Sequence, residues 1–167
     1  MAGERPRRLV IGIGNCERGD DAAGREVARL LCDGIPDDVE LIEHDGEATA
    51  LLAQLEGASV AIIVDACISG APAGTVHRFD VSAAPLPQVR FGLSTHGLGL
   101  AEALELARAM RQLPPRSIVY ALEASQFNSG AGLSRPVRMS LRDTADRVIA
   151  ELDQATWLVI LGVLPSE

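Results

Sequence analysis

Aromatic residues are scarce in this chain, where Phe, Tyr and Trp together make up 3% of 167 residues. Hydrophobic residues still reach 47%, which excludes a disordered chain. The core must therefore be built from Ala, Val, Ile and Leu, as in buried parallel strands and the helices that cover them. The length is sufficient for one domain with a substantial core and leaves little room for a second.

Basic residues and cysteines are also few. Fifteen basic against 23 acidic residues give a net charge of −8, and no basic stripe is present, so we expect no nucleic-acid partner. Cys16, Cys32 and Cys67 form no CxxC pair, which argues against a disulfide framework or a structural zinc site and favours the cytoplasm. Residues 1–8 are charged, unlike a signal peptide. The apolar run 157–164 is far shorter than the roughly 20 residues of a membrane span, so we expect no membrane partner.

Strand and helix patterns alternate along the chain. Short apolar runs predict strands, and apolar residues at helical spacing predict helices between them. Strands are predicted at residues 8–14, 39–43, 60–65, 74–79 and 118–122, and helices at 20–34, 47–55, 94–113 and 140–154, with loops at 83–91 and 125–136. This order predicts an α/β fold, a three-layer sandwich whose mostly parallel twisted sheet carries helices on both faces.

We expect a single domain over residues 1–167. Residues 1–7 are predicted to be a flexible N-terminus. The apolar tail 155–167 is predicted to pack on the sheet or to extend the last helix, and an exposed apolar strip there would instead serve a subunit interface.

Three patches, far apart in the chain, each place a possible metal ligand near the end of a predicted strand. These are residues 12–21 (GIGNCERGDD) with Asp21, residues 62–66 (IIVDA) with Asp65, and residues 94–99 (STHGLG) with His96. In open α/β sheets, ligands bind in the crevice outside the carboxyl ends of the strands. We therefore expect two carboxylates and one imidazole to meet there.

Each of these side chains also has a structural interpretation. Asp21 can cap the next helix, although Asp20 is already available for that cap. Asp65 can be a strand-end carboxylate satisfied by loop amides, but a partly desolvated carboxylate also suits a metal. His96 can be a polar loop residue, although its flanking glycines let backbone approach a ligand closely. Of the remaining histidines, we expect His77 on an exposed strand face.

Other chemistries fit less well. Gly12 and Gly14 follow a strand as in a dinucleotide fingerprint, but Glu17 stands where the third glycine belongs. No GxSxG elbow of a serine hydrolase is present. Cys16 and Cys67 have no histidine adjacent in sequence, so we interpret both as buried thiols without a catalytic role.

Two carboxylates and one imidazole suit a borderline divalent ion such as zinc, nickel or iron. Three protein ligands with an open position are the arrangement of catalytic metal sites, whereas structural zinc usually has four. An ion held in this way can polarise an amide carbonyl or lower the pKa of a bound water.

Together the patches resemble the hydrogenase maturation endopeptidases, which remove a C-terminal peptide from the nickel-bearing large subunit of NiFe hydrogenase. The family's opening motif G-(I/V)-G-N-x-x-x-x-D-(D/E) is matched by residues 12–21, its strand-end Asp by Asp65, and its S-x-H-x-x-G-L-like patch by residues 94–100. A late motif, G-x-E-P followed by G-x-G-L-S-x-x-V, is echoed by residues 121–124 and 130–137. Four patches in the family's order make this resemblance fairly specific.

The resemblance implies that Asp21, Asp65 and His96 bind nickel and carry the catalysis. It implies that the nickel is supplied by the substrate, the precursor of a hydrogenase large subunit, and that zinc or cadmium can occupy the site in vitro. It also implies a role in substrate binding for Asp45 and Gly46, which correspond to the family's D-G-G-T loop.

The chain departs from the family pattern at Ala22, where the family often has Gly, at Ala124, where it often has Pro, and in the loop after Gly46. These departures leave two alternatives open. One is a nickel-sensing or subunit-binding maturation chaperone without hydrolysis. The other is a zinc-dependent hydrolase of a small amide.

Overall fold

A computed structural model of the chain describes residues 6–87, 89–91 and 98–160, with side chains as far as residue 155. The strands in this part of the chain are β1 (Arg8–Ile13), β2 (Val39–His44), β3 (Val60–Ile68), β4 (Val76–Asp80), β5 (Arg90–Phe91) and β6 (Arg116–Glu123). The α-helices are α1 (Ala23–Leu31), α2 (Ala48–Leu55), α3 (Leu100–Ala109) and α4 (Arg135–Ile160), and a short 3-10 helix spans Gly19–Ala22.

The six strands form one sheet in the order β2-β1-β3-β6-β4, with β5 paired to the end of β3. The pairs β1–β2, β1–β3 and β3–β6 are parallel. The strands β4 and β5 run antiparallel to their neighbours β6 and β3. The predicted α/β fold with a mostly parallel sheet is confirmed.

An apolar core lies on each face of the sheet. One core contains Leu51 and Leu55 of α2 with Leu104 of α3. The other contains Val27 of α1 and Val148 of α4. Because helices cover both faces, β1 is buried throughout and β3 is buried as far as Cys67, and both strands are mostly apolar. These three layers are the sandwich that the alternating pattern predicts.

The largest differences from the predicted strands concern β3 and β5, and the ends of the other strands shift by at most two residues. The strand β3 continues to Ile68, three residues beyond the predicted end at Asp65, because β6 pairs with it as far as Cys67. The short strand β5 pairs with the same end of β3. It lies within residues 83–91, which were wrongly predicted to be a loop throughout.

The last helix is longer than predicted at both ends. It begins at Arg135 instead of residue 140, and it continues to Ile160. Pro136 lies in its first turn, where the missing backbone N–H leaves no hydrogen bond unmade. The predicted flexible segment 1–7 and apolar tail 155–167 lie partly outside the described residues. Among the residues that are described, no helix combines the length and the apolar character that crossing a membrane requires.

The next strand in the chain, β2, lies on one side of β1 in the sheet, and the strand after it, β3, lies on the other side. Helix α1 leads from β1 to its neighbour β2 on one face, and α2 leads back past β1 to β3 on the other face. Such a switch point opens a crevice at the carboxyl ends of the two strands. The pairing of β1 with β3 ends at Gly12 and Val64. Asp65 is therefore the first residue of β3 beyond that pairing.

Candidate functional site

Two glycines allow the turn that carries Asp21 to the crevice. Helix α1 packs so near the sheet that a Cβ on Gly24 would lie 2.2 Å from the carbonyl oxygen of Val64 and 2.3 Å from that of Ile13. Gly14 has a φ of +153°, and a Cβ there would lie 1.8 Å from the carbonyl oxygen of Asp21. Only glycine fits at both positions. Gly14 and Gly24 therefore allow the turn after β1 and helix α1 to pack closely against their neighbours.

Asp21 is buried, with 6% of its surface exposed. Its Oδ2 accepts a hydrogen bond from the backbone N–H of Asn15 at 3.1 Å. Neither the 3-10 helix nor α1 has a side-chain cap, so the interpretation of Asp21 or Asp20 as a helix cap is wrong. The carboxylate of Asp21 is instead held at the end of β1.

Asp20 fixes the loop between β6 and α4. Its fully buried carboxylate accepts hydrogen bonds from the backbone N–H groups of Ser125 (2.8 Å), Gln126 (3.1 Å) and Ser134 (2.7 Å). It also accepts from the hydroxyls of Ser125 at 3.2 Å and Ser134 at 2.9 Å. The short helix that carries Asp21 is thereby anchored to a loop more than 100 residues away in the chain.

Replacing Asp20 by asparagine should lower the free energy of unfolding by about 2 kcal/mol, because the amide group presents donors to buried N–H donors. Urea unfolding followed by circular dichroism measures the change. The exposed Asp37 offers a control, since Asp37→Asn should change the stability by less than about 0.5 kcal/mol. Equal stability of the Asp20→Asn variant and wild type would contradict the role given to Asp20.

Asp65 is more deeply buried, with 3% of its surface exposed. Its Oδ1 accepts a hydrogen bond from the backbone N–H of Ala66 at 2.8 Å. Burial raises the pKa of Asp65 well above its usual value, and the negative charge of Asp21 raises it further. Two neighbouring carboxylates in a desolvated site do not both ionise readily. A cation bound between them would relieve both the desolvation and the repulsion.

A turn after β2 brings Asp45 and Gly46 to the same crevice. The backbone N–H of Gly46 donates to Nδ1 of His44 at 2.8 Å, and burial lowers the pKa of His44 despite the opposing effect of Asp45. His44 therefore holds the turn by accepting the N–H of Gly46 at Nδ1. The side chain of Asp45 is 76% exposed, and the N–H of Glu47, which donates to it at 2.9 Å, lowers its pKa.

One cleft brings these residues together at the carboxyl ends of β1 and β3. Asp21, Asp65, Asp45 and Gly46 all line it. The rest of the lining is mostly apolar and includes Ile13, Leu51, Phe91 and Leu100. None of the described residues that line the cleft is Arg or Lys. A cleft with three carboxylates and an apolar wall suits a divalent cation beside an uncharged chain segment.

His96 lies outside the described residues, as does the rest of segment 92–97. Its predicted meeting with Asp21 and Asp65 stays a prediction. Phe91, just before that segment, and Gly99, shortly after it, both line the cleft.

A second group of side chains suited to a metal ion lies on the strands β3, β4 and β6. The ligand atoms of Cys67, His77 and Glu123 all lie within 4.8 Å of one another. The prediction that His77 occupies an exposed face is wrong: its side chain is 24% exposed, and its Nε2 lies 3.2 Å from Oε2 of Glu123. Cys67 is fully buried, as predicted, and burial raises its pKa. The prediction that Cys16 is buried is wrong, since this thiol is exposed.

Sequence reasoning missed the roles of two carboxylates. The bonds of Asp20 reach a loop far along the chain, and no local pattern reports such a pairing. Glu123 enters the sequence argument only as part of a family motif. Its local signal is a single Glu at the end of a continuous apolar strand, IVYALE, where a carboxylate needs partners or a metal.

The fold and the cleft define an α/β protein with a candidate ligand site at the switch point of its sheet. A protein-family model for hydrogenase maturation protease (HycI) matches residues 26–151, well over half of the chain. The chain therefore belongs to the hydrogenase maturation protease family. As a member of that family, it is a hydrolase of the endopeptidase class.

Individual relatives agree with this assignment. The hydrogenase expression/formation protein HupM of Azotobacter chroococcum is 26% identical over 144 residues, which cover 84% of this chain and 69% of HupM. HupD of Thiocapsa roseopersicina, with the same description, is 27% identical over 133 residues, or 78% of this chain and 60% of HupD. The hydrogenase maturating endopeptidase HYBD from E. coli superposes with a TM-score of 0.73 at 26% identity, covering 89% of this chain and 93% of that one.

Proposed function

We propose that this endopeptidase removes the C-terminal peptide from the precursor of a NiFe hydrogenase large subunit, with the precursor's nickel as the recognition element. One observation carries the proposal: Asp21 and Asp65, both buried, line a single cleft in a chain of this family. The names of HupM and HupD refer to hydrogenase formation, and HYBD is a hydrogenase maturating endopeptidase.

Electrostatics supports a cation as part of the substrate. The raised pKa of Asp65 reflects burial and the charge of Asp21, and a divalent ion would favour the ionised form of both groups. In this proposal, Asp21 and Asp65 bind the nickel that the precursor already contains. His96 supplies the third ligand, which follows from the family resemblance. The site then binds a precursor that contains nickel more tightly than one that lacks it.

The peptide to be cut lies beside the ion. Asp45 and Gly46 line the same cleft as the two carboxylates, so we assign them to substrate binding. The apolar wall, with Leu51, Phe91 and Leu100, suits the uncharged part of a peptide chain. Because His44 holds the turn through the Gly46 N–H, this side of the cleft is fixed before the substrate binds.

Two modes of activation fit this arrangement. The substrate's ion can polarise the carbonyl of the scissile peptide bond. Alternatively, a carboxylate of the site can accept a proton from the attacking water, as in an aspartyl-type peptidase, and a raised pKa suits Asp65 to that task. The two exposed thiols, Cys16 and Cys32, fit a reducing compartment such as the cytoplasm, where we propose that the reaction takes place.

The test is a processing assay with purified protein and a purified large-subunit precursor. Nickel-loaded precursor should be shortened by wild type and by the control variant Asp143→Asn, whose surface residue lies far from the cleft in sequence. The Asp21→Asn and His96→Ala variants should fail to shorten it. Precursor loaded with zinc or cadmium separates the two modes, since a polarising role predicts rates that depend on the ion.

Two results would refute the proposal. One is the absence of any size shift with wild type and nickel-loaded precursor. The other is an undiminished shift with Asp21→Asn or His96→Ala. Equal cleavage of nickel-free and nickel-loaded precursor would refute nickel recognition and leave the peptidase assignment intact.

A further inference from the structure

Cys67, His77 and Glu123 come from three adjacent strands, β3, β4 and β6, and lie on one face of the sheet. Cys67 pairs with Glu123 in the register of β3 and β6, and His77 pairs with Ala121 in that of β4 and β6. This register brings a thiol, an imidazole and a carboxylate together. We propose that these three side chains form a second divalent-cation site, suited to zinc or another ion of borderline softness, beside the acidic cleft and separate from it.

The distances fit a single ion. Sγ of Cys67 lies 3.4 Å from Oε2 of Glu123, and Nε2 of His77 lies 3.2 Å from the same oxygen. Tetrahedral zinc, with metal–sulfur, metal–nitrogen and metal–oxygen lengths of about 2.3, 2.0 and 2.0 Å, has S···O and N···O edges of about 3.5 and 3.3 Å. The two edges that meet at Oε2 therefore match those of a zinc tetrahedron. The ligand atoms of all three residues lie within 4.8 Å of one another, so side-chain rotations would complete the face.

The carboxylate is oriented for this role by the backbone. Oε1 of Glu123 accepts hydrogen bonds from the N–H groups of Ser69 at 2.8 Å and Gly70 at 3.1 Å, so Oε2 is directed toward Cys67 and His77. The Ser69 hydroxyl donates to Oε2 at 2.7 Å. Outer donors of this kind hold the ligands of metal sites in place.

Burial and charge also favour a cation. Glu123 is 2% exposed and Cys67 fully buried, and Asp65 precedes Cys67 by two residues on the same face of β3. Among the described residues, the Glu123 carboxylate is hydrogen-bonded to Cys67, Ser69, Gly70 and His77, and none of these partners is an arginine. Binding would replace the thiol proton of Cys67, which is released to solvent. The partly exposed ring of His77 provides the way in.

A cation at this place would tie the edge strand β4 to the two central strands. Its effect on stability follows from preferential binding to the folded chain. The proposal does not depend on peptidase activity, because the site shares no ligand with the cleft and its test requires no precursor.

Cobalt(II) is the probe, since a thiolate ligand gives it a charge-transfer absorption. The starting protein is Cys16→Ser/Cys32→Ser, which removes the two exposed thiols. We expect one equivalent of cobalt to produce the charge-transfer band and zinc to displace it. The band should disappear in the same protein with Cys67→Ala. Since even outer-shell changes weaken metal binding by about 10–100-fold, His77→Gln and Glu123→Gln should weaken it at least as much.

A matched variant separates this site from the cleft. Asp21→Asn/Asp65→Asn should retain the band, because neither carboxylate belongs to the group. In the Asp21→Asn/Asp65→Asn protein, where the cleft lacks both carboxylates, zinc should also raise the melting temperature, and adding His77→Gln should abolish that rise, which shows binding even if Cys67→Ala fails to fold. A folded starting protein without a band, a band that persists in Cys67→Ala, or a band lost only in Asp21→Asn/Asp65→Asn would overturn the proposal.

Discussion

The Asp65→Asn variant is expected to unfold less readily than wild type at neutral pH and to have lost precursor processing. The gain in the free energy of unfolding should be about 1 kcal/mol or more, in the range of other changes that relieve a strained functional site. The loss of processing should be at least about 10–100-fold, since outer-shell changes alone reach that size.

The gain in stability follows from the position of the carboxylate. Burial and the neighbouring Asp21 raise the pKa of Asp65 in the folded chain. A raised pKa means that folding favours the protonated acid, so ionisation of Asp65 opposes folding. Asparagine has nearly the same shape, carries no charge, and retains an oxygen that can accept the N–H of Ala66.

The pH dependence gives the sign of the effect. In the unfolded chain Asp65 ionises near its ordinary pKa of 3.8, and in the folded chain it ionises at higher pH. Wild type therefore loses stability relative to Asp65→Asn as the pH rises above about 4, until the folded pKa is passed. Below that range the two proteins should be similar in stability.

Urea unfolding at several pH values, together with the processing assay, measures both effects. The exposed Asp33 supplies the control. Asp33→Asn should change the free energy of unfolding by less than about 0.5 kcal/mol and should leave precursor processing intact. A variant that is less stable than wild type at neutral pH would show that Asp65 is held by interactions favouring its charge. A stabilised variant that still processes the precursor would remove Asp65 from the site.

The sandwich could be predicted because its signals are local. The apolar runs of β1 and β3 and the spacing of Val27 and Leu31 in α1 are visible within short windows. Because ligands in open α/β sheets bind outside the carboxyl ends of the strands, Asp21 and Asp65 were expected to meet there. Both residues do line one cleft. The elements and the cleft could thus be predicted where the local apolar pattern is enough to place a strand or helix in the sandwich.

The remaining features depend on contacts between distant segments. Asp20 was taken for a helix cap because the residues that bind it, Ser125 to Ser134, follow more than 100 positions later. His77 was expected to be exposed because alternation along β4 does not reveal that Glu123 stands beside it. The extension of β3 to Ile68 likewise comes from its neighbours. Such pairings are set by sheet register, which no short window contains.

Glu151→Gln should destabilise the protein by about 3 kcal/mol at neutral pH. Glu151 lies on α4, is 6% exposed, and binds three groups of the sheet. Its carboxylate accepts from Arg78 at 2.8 and 2.9 Å and from the Tyr120 hydroxyl at 2.9 Å, and also from Arg116. Removing one partner of a buried ion pair leaves the opposite charges uncompensated, which typically destabilises by about 3–5 kcal/mol.

The pKa of Glu151 gives a similar magnitude. Burial alone would raise it, but the hydrogen bonds from Arg78, Arg116 and Tyr120 outweigh burial and lower it from 4.5 to about 2. At about 1.4 kcal/mol for each pKa unit, this difference corresponds to roughly 3 kcal/mol. Since the folded pKa is depressed, the contribution is complete above pH 4.5 and is lost as the pH falls toward about 2.

Chemical denaturation of wild type and Glu151→Gln between pH 7 and pH 2 measures this contribution. The free energies of unfolding should differ by about 3 kcal/mol at pH 7 and converge toward pH 2. At low pH, wild type loses the contribution of the ionised Glu151 carboxylate, which the variant lacks at every pH. On the same helix, Asp143 forms an exposed pair with Arg147 at 2.9 Å, and Asp143→Asn should change the stability by less than about 1 kcal/mol. If Glu151→Gln and Asp143→Asn behave alike, the ion pairs of Glu151 do not fasten α4 to the sheet, and apolar packing alone holds the helix there.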